Sequence, residues 1–307
     1  MKTPVLLFAY ARPQHTRQVL ECLRRERIPL LYAYVDGPKT EQQTHVVEEV
    51  TALIRNITWC EVRLVCREKN LGLGKSILSG VSEVLGQEEQ IIVLEDDLIL
   101  TAGTYAFFSA ALDRYRNEPK VMSITGWTHP RVQPPAAAGR PYFDGRAECW
   151  GWATWRRAWQ GIEKQDAATL RDKCTRLGIA PDLYGSDLSE MADAEHARNI
   201  WAVRFLYWHI VHRGLCLRPS HPMIDHVGLD TAATNFTPNS FHWSVTLPEQ
   251  VDLPDEWPAP IEESDCASLW KGSFPIPSRT RSKPKKSIVT HLRRSRENLI
   301  SWLKGGS

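Results

Sequence analysis

The stretch Ile91 to Leu98 reads I-I-V-L-E-D-D-L: four apolar residues, three of them β-branched, followed at once by Glu95, Asp96 and Asp97. A short apolar run of this kind is a strand buried on both faces, and its abrupt change to carboxylates marks the place where the strand leaves the core. In an open α/β sheet ligands gather outside the carboxyl ends of the strands, so the three acids are expected to face a crevice. Adjacent carboxylates repel one another unless a positive charge sits among them. A hard divalent cation, Mg²⁺ or Mn²⁺, held by one or two carboxylates and sharing its remaining positions with phosphate oxygens, answers that repulsion. A solvated turn would usually carry Gly or Pro. Here Leu98, Ile99 and Leu100 resume the apolar run instead.

Working outward, the residues before and after this strand alternate between the two periodicities. Val5 to Phe8, Leu30 to Val35, Glu61 to Val65 and Val121 to Ile124 read as further strands. Helices are expected from Pro13 to about Arg27, from a Thr40-x-x-Gln43 capping box to about Asn56, from Ser76 to Leu85 and from Thr104 to about Asn117. Strand and helix in alternation predict an α/β fold with a mostly parallel, Rossmann-like sheet flanked by helices. The early strands also end in residues suited to a nucleotide: Tyr10 and Arg12 after the first, Asp36 after the second, Arg67 and Asn70 after the third. Arg can neutralise a diphosphate, and Asp can accept a hydrogen bond from a base or ribose. Gly72-Leu73-Gly74-Lys75-Ser76 lacks the first glycine of a phosphate loop and the last of a dinucleotide fingerprint, so it reads as a flexible lead into a helix with Lys75 near phosphate.

Composition bounds the rest. A chain of 307 residues with 42% apolar content can bury a full core. No apolar run reaches the length of a membrane span and the chain enters a strand directly, which predicts a cytoplasmic protein. The seven cysteines contain no C-x-x-C pair and are expected to be buried thiols. From Ser278 to Ser307 nine Lys and Arg stand against one Glu, leaving 29 basic and 35 acidic residues for the body. That basic C-terminal tail carries Ile288, Leu292, Leu299 and Leu303 near one face of a possible helix, a pattern suited to an anionic membrane surface at the inner face of the membrane.

Four blocks in this order resemble the nucleotide-sugar glycosyltransferases of the GT-A fold, closest to bacterial family-two-like enzymes and to the N-acetylglucosaminyltransferase I group. They are the Arg12 and Asp36 strand ends, Glu95-Asp96-Asp97, C-W-G-W-A-T-W from Cys149 to Trp155, and H-V-G-L-D-T-A-A-T-N from His226 to Asn235. The resemblance covers about residues 4 to 236. It implies that the triplet holds Mn²⁺ under the donor diphosphate with Asp97 as direct ligand, and that Arg12 and Asp36 contact phosphate and uracil. It implies a UDP-linked sugar donor, a glycan or lipid-linked saccharide acceptor and a role in bacterial surface polysaccharide synthesis, without nucleic acid.

The chain is accordingly divided into a glycosyltransferase domain at 1–245, an extension packed on it at 246–277 and the tail at 278–307. Metal candidates are Glu95, Asp97 and His226; donor candidates are Tyr10, Arg12, Asp36, Asn70, Lys75, Asp96 and Trp152. Trp152, Trp155 and Trp159 fall at helical spacing and are expected to share a helix face, with Trp150 and Trp152 best placed to stack on a sugar. Residues 128 to 145, rich in Pro, Ala and Gly, read as a loop. A long helix is expected from Ala197 to Arg213 and a strand from Leu215 to Leu217. The resemblance places a catalytic Asp after the Trp that opens that helix, where this chain has Trp201-Ala202. Asp193 or Glu195 is then the substitute base, and a catalytically silent nucleotide-sugar-binding protein is the alternative. A sugar-nucleotide pyrophosphorylase would need a glycine-rich N-terminal loop that F-A-Y-A-R-P does not supply.

Overall fold

A computed structural model of the protein describes residues 2–228 and 245–274. The chain begins with β1 (Val5–Ala9), α1 (Pro13–Arg25), β2 (Leu30–Val35), α2 (Thr44–Arg55), β3 (Glu61–Cys66) and α3 (Leu73–Leu85). It continues through β4 (Gln90–Glu95), β5 (Leu98–Leu100), α4 (Thr104–Arg114), β6 (Val121–Thr125), β7 (Tyr142–Asp144), β8 (Trp152–Trp155) and the short α5 (Arg156–Trp159). Then follow α6 (Ala167–Arg176), α7 (Asp187–Arg198), α8 (Ala202–His212), β9 (Leu215–Arg218), β10 (Ile224–His226) and α9 (Cys266–Ser273).

Eight strands form one sheet in the order β3-β2-β1-β4-β8-β6-β9-β7, and β5 pairs with β10 in a second, two-stranded sheet. β3, β2, β1 and β4 are mutually parallel, and β6 is parallel to β9, whereas β8 and β7 run against their neighbours. The fold is thus α/β with a mostly parallel sheet. Apolar side chains of α1, α2 and α4 fill one face, and those of α3, α6, α7 and α8 fill the other. Burial on both sides is why β1, β2 and residues 91–94 of β4 read as unbroken apolar runs.

Several expectations change. Trp152 to Trp155 is not helical: it is β8, inserted antiparallel between β4 and β6, with Val93 and Thr125 both opposite Trp152. Its tryptophans project to opposite faces, Trp152 among the side chains of α3 and α8 and Trp155 toward α4, where its indole N–H donates to Leu112 O at 3.3 Å. Residues 128–145 are not a free loop; they contain β7, whose three residues are buried against β9. The helix expected from Ala197 starts later, as α8 at Ala202, and a separate helix, α7, precedes it and ends at Asn199, which adopts the left-handed conformation (φ 53°) that Asn tolerates better than other side-chain-bearing residues. The capping box is absent because Gln43 is drawn away: its Oε1 accepts from the Tyr10 hydroxyl at 2.7 Å, and a 3₁₀ turn, Glu41–Gln43, precedes α2. The Gly72-x-Gly74 segment is a packing contact rather than a flexible lead, since a Cβ at Gly74 would lie 2.6 Å from Asn199 Oδ1 and 2.7 Å from its carbonyl oxygen. All seven cysteines are free thiols, but Cys66 is exposed and Cys60 and Cys149 are half-buried.

Residues 245–274 run from the turn before α4, where Val251 N–H donates to Ala102 O at 2.8 Å, past Phe107 and Tyr115 of the α4 region to the β7 side of the sheet. Glu263 N–H donates to Phe143 O at 3.0 Å, and the Trp270 indole donates to Asp144 Oδ2 at 2.8 Å. Asp144 also accepts from Arg218 Nε at 2.6 Å, and neither side chain has any exposed surface. Among the described residues no helix is long and apolar enough to cross a membrane. The tail at 278–307, and residues 229–235 of the last sequence block, lie outside the described residues.

Candidate active site

The parallel sheet brings the carboxyl ends of β1, β2 and β4 to one edge, and the turn from β4 into β5 carries Asp96 and Asp97. Both are buried, at 8% and 6% exposure, so this is not a solvated turn. Asp96 Oδ2 accepts from the Tyr10 backbone N–H at 2.8 Å, which ties the acidic turn to the end of β1. Arg12 Nη1 donates to Asp97 Oδ2 at 2.7 Å. β10 pairs antiparallel with β5 and sets His226 opposite Leu98, leaving His226 Nε2 3.6 Å from the same Asp97 oxygen. The chain then closes over the carboxylate: Val227 N–H donates to Asp97 O at 2.9 Å, and any side chain at Gly228 would overlap Asp97 Oδ2. Three sequence-distant residues, Arg12, Asp97 and His226, therefore meet at one oxygen.

Electrostatics at this turn is unfavourable for the protein alone. Burial, then the charges of Asp97 and Asp96, push the Glu95 carboxyl well above its ordinary range. Burial and the Asp97 charge push Asp96 up to about 7, against the opposing pull of the Tyr10 N–H and Arg12. Asp97 Oδ1 and His226 Nδ1 are buried and have no hydrogen-bond partner among the described residues. Orphaned buried acceptors are rare enough in native proteins to require an explanation. A hard divalent cation taking Asp97 Oδ1, with His226 alongside, fits these residues, because such ions bind through one or two carboxylates and otherwise to phosphate and water. Among the described residues no cluster of three or more His, Cys, Asp and Glu is placed to enclose a metal.

The other candidates separate into those at the crevice and those spent elsewhere. The Tyr10 hydroxyl accepts from Lys39 N–H at 2.9 Å, while Asp36 accepts from the N–H groups of Leu71 and Gly72 at 2.9 Å each. Asn70 Nδ2 donates to Gly37 O at 2.9 Å. Asp36 and Asn70 thus latch the β2 and β3 loops together at the crevice rim. Lys75 is exposed on the first turn of α3.

Trp152 is corrected as a sugar platform: it is 1% exposed, with its ring stacked between Trp159 (5.5 Å) and Trp201 (5.4 Å). Trp150 is half-buried and lies 5.0 Å, ring to ring, from His226 and 4.7 Å from Trp127. The base candidates on α7 are corrected as well. Glu195 is 4% exposed and committed, accepting from Ala167 N–H and Arg204 Nε at 2.7 Å each; Asp193 is on the surface, paired with Arg171 at 2.7 Å. Trp127 and Glu148 at this edge went unread in the sequence; Trp127 follows β6 as Tyr10 follows β1, and the same strand-end rule would have found it.

No protein-family model matches the chain, and no curated protein sequence matches it either. Among solved structures it is similar to the mannosyltransferase PcManGT from Pyrobaculum calidifontis, determined with GDP-Man and Mn²⁺, with TM-score 0.43 and 13% identity over 76% of this chain and 58% of that one. A putative glucose-1-phosphate thymidylyltransferase from Bacillus anthracis, in complex with a sucrose, gives 0.34 and 8% over 54% and 78% of the two chains. HddC from Yersinia pseudotuberculosis gives 0.31 and 11% over 50% and 77%.

Proposed function

We propose that the protein is a metal-dependent glycosyltransferase of the GT-A fold that moves a sugar from a nucleotide-diphosphate donor, UDP-linked, to a glycan or glycolipid acceptor of a bacterial surface polysaccharide. The observation that carries the proposal is Asp97: a buried carboxylate at a strand end, with one oxygen bound by Arg12 beside His226 and the other without a partner among the described residues. Asp97 and His226 would hold the cation, which when bound supplies positive charge to the donor diphosphate and to the leaving nucleotide. Arg12 adds a fixed guanidinium on the same side, suited to phosphate oxygens. Tyr10, Lys39 and Gln43 form the rim next to it, and Trp150 presents a ring for an apolar sugar face. The body of the chain through residue 277 would carry this chemistry. The basic segment at 278–307 would hold it at an anionic membrane; binding to anionic vesicles should disappear when the chain is ended at Pro277, and equal sedimentation of the shortened chain would refute that role.

One observation favours a second reading, a nucleotide-sugar-binding protein without turnover: Ala202 stands where the resemblance expects a base, while Glu195 is committed to Arg204 and Asp193 is paired with Arg171 at the surface. A thermal-shift screen of UDP-glucose, UDP-galactose, UDP-N-acetylglucosamine and GDP-mannose, with and without Mn²⁺, tests the donor site, since a ligand that binds only the native state raises its melting temperature. Stabilisation by one donor only with Mn²⁺ is expected, lost in Asp97→Ala. A metal-independent shift, or one unchanged in Asp97→Ala, would sink the metal assignment. Release of free nucleotide separates the transferase from the silent binder.

A further inference from the structure

With Asp193 and Glu195 excluded, the described carboxylates near the crevice are few. Asp36 is saturated by backbone N–H groups, and Glu95, Asp96 and Asp97 belong to the cation turn. Asp225 sits on β10 next to His226, so strand alternation turns it to the opposite face. Glu148 remains. It lies in Glu148–Trp150, a half-buried stretch between the buried residues 141–147 and 151–155.

The sheet register places this stretch. Trp152 is opposite both Val93 and Thr125, and Gly126 N–H donates to Gly151 O at 2.8 Å, so Trp150 enters the gap between the ends of β4 and β6. Glu148 follows on the β9 side, where its Oε2 and the Trp127 carbonyl oxygen face the same Arg218 Nη1, at 3.9 and 3.3 Å. Arg218 is itself immobilised by Asp144 and by the Arg146 carbonyl. Oε1 accepts from Cys149 N–H at 2.9 Å, while Oε2 makes no hydrogen bond among the described residues and the side chain is 14% exposed. Burial, and then the charges of Glu148 and Glu95, push the Cys149 thiol well above its ordinary range.

We propose that Glu148 is the general base that activates the acceptor, across the Trp150 ring from the Asp97 turn. This rests on the transferase reading. The Glu148 carboxylate takes the proton of the acceptor hydroxyl; the acceptor oxygen bonds to the anomeric carbon; the bond from that carbon to the donor phosphate oxygen breaks, and its electron pair leaves on the nucleoside diphosphate. A base on the side opposite the leaving group requires inversion at the anomeric carbon.

The test uses the full chain with the nucleotide sugar and Mn²⁺ that give the largest thermal shift, measuring nucleotide release to water and to a panel of mono- and disaccharides. Glu148→Gln should lower kcat by about 10²- to 10⁴-fold while the donor-induced thermal shift stays unchanged. The acidic limb of the wild-type kcat–pH profile should vanish in Glu148→Gln, and formate should restore part of the activity of Glu148→Ala. A kcat within about threefold of wild type, a parallel loss of donor stabilisation, or release of a sugar with retained anomeric configuration would overturn the assignment. If wild-type protein releases no nucleotide from any donor that stabilises it, the transferase reading fails first and takes the base with it.

Discussion

Two groups of buried charge lie along the carboxyl-terminal edge of the same sheet, one at the end of β9 and one after β4, and are built on opposite principles. Around Arg218 the polar atoms are matched: its guanidinium meets Asp144, the Arg146 carbonyl and the Trp127 carbonyl, while Asp144 also receives the Trp270 indole and the Arg146 N–H. Around Asp97 they are not. Among the described residues one of its oxygens has no partner, a neighbouring imidazole nitrogen has none either, and two flanking carboxyls are held at raised pKa by burial and by neighbouring negative charge. A closed network serves the fold, because each member is already spent. An open one stores unfavourable electrostatics that only an added ligand removes, and such perturbed clusters mark sites.

The contrast can be broken most forcefully at the closed network. Arg218→Ala leaves Asp144 buried without its cation and should cost about 3–5 kcal/mol of stability by urea unfolding, as expected when one partner of a buried pair is removed. A loss under about 1 kcal/mol would mean that water or Arg146 compensates and that the network is not closed. At the open one the same experiment should give the reverse. Asp97→Ala removes a source of repulsion, so its urea midpoint without metal should equal or exceed that of wild type, even though it loses Mn²⁺-dependent donor binding. A large destabilisation there would make Asp97 a structural partner of Arg12 and not a ligand.

The smallest effect is a slope. Asp96 titrates near 7 in the folded protein and near 3.9 when unfolded, so between those values the native state holds a proton that the unfolded chain has released. That contribution is fully present below about pH 4 and fades as pH rises through about 7. Stability of the metal-free protein should therefore fall with rising pH across this window more steeply in wild type than in Asp96→Asn. Saturating Mn²⁺, which favours the ionised carboxylates, should flatten the wild-type curve. Parallel melting curves of the two proteins from pH 5 to 8 would show that Asp96 is not held protonated.

Much of the site was legible because local patterns and global position agree. The run Ile91-Ile92-Val93-Leu94 can only be a strand buried on both faces, and Glu95, Asp96 and Asp97 must then emerge at its end. Pro13, Leu30 to Val35 and Thr104 likewise mark element starts that the structure keeps, because Pro at a helix start and continuous apolar runs act locally. The tryptophans show where local reading fails. Spacings of three and four residues are as compatible with a helix as with a strand running into a helix, and only pairing with Val93 and Thr125 makes Trp152 to Trp155 a strand. Helix-forming acids before Ala202 likewise invited a catalytic reading; Glu195 is instead consumed by Arg204 and the α6 backbone, partners brought to it by helix packing.

The sequence by itself thus determined the alternation of strands and helices as far as β6, the emergence of the acidic turn and the absence of a carboxylate at position 202, since these follow from periodicity and identity along the chain. Only the tertiary structure decided that His226 and Arg12 converge on Asp97, that Trp150 rather than Trp152 borders the crevice, and that Glu148 lies across from the triplet. Those three depend on the register of β8 between β4 and β6 and of β10 against β5. Register is fixed by which side chains must be buried together, a property of pairs of distant segments that neither segment encodes alone.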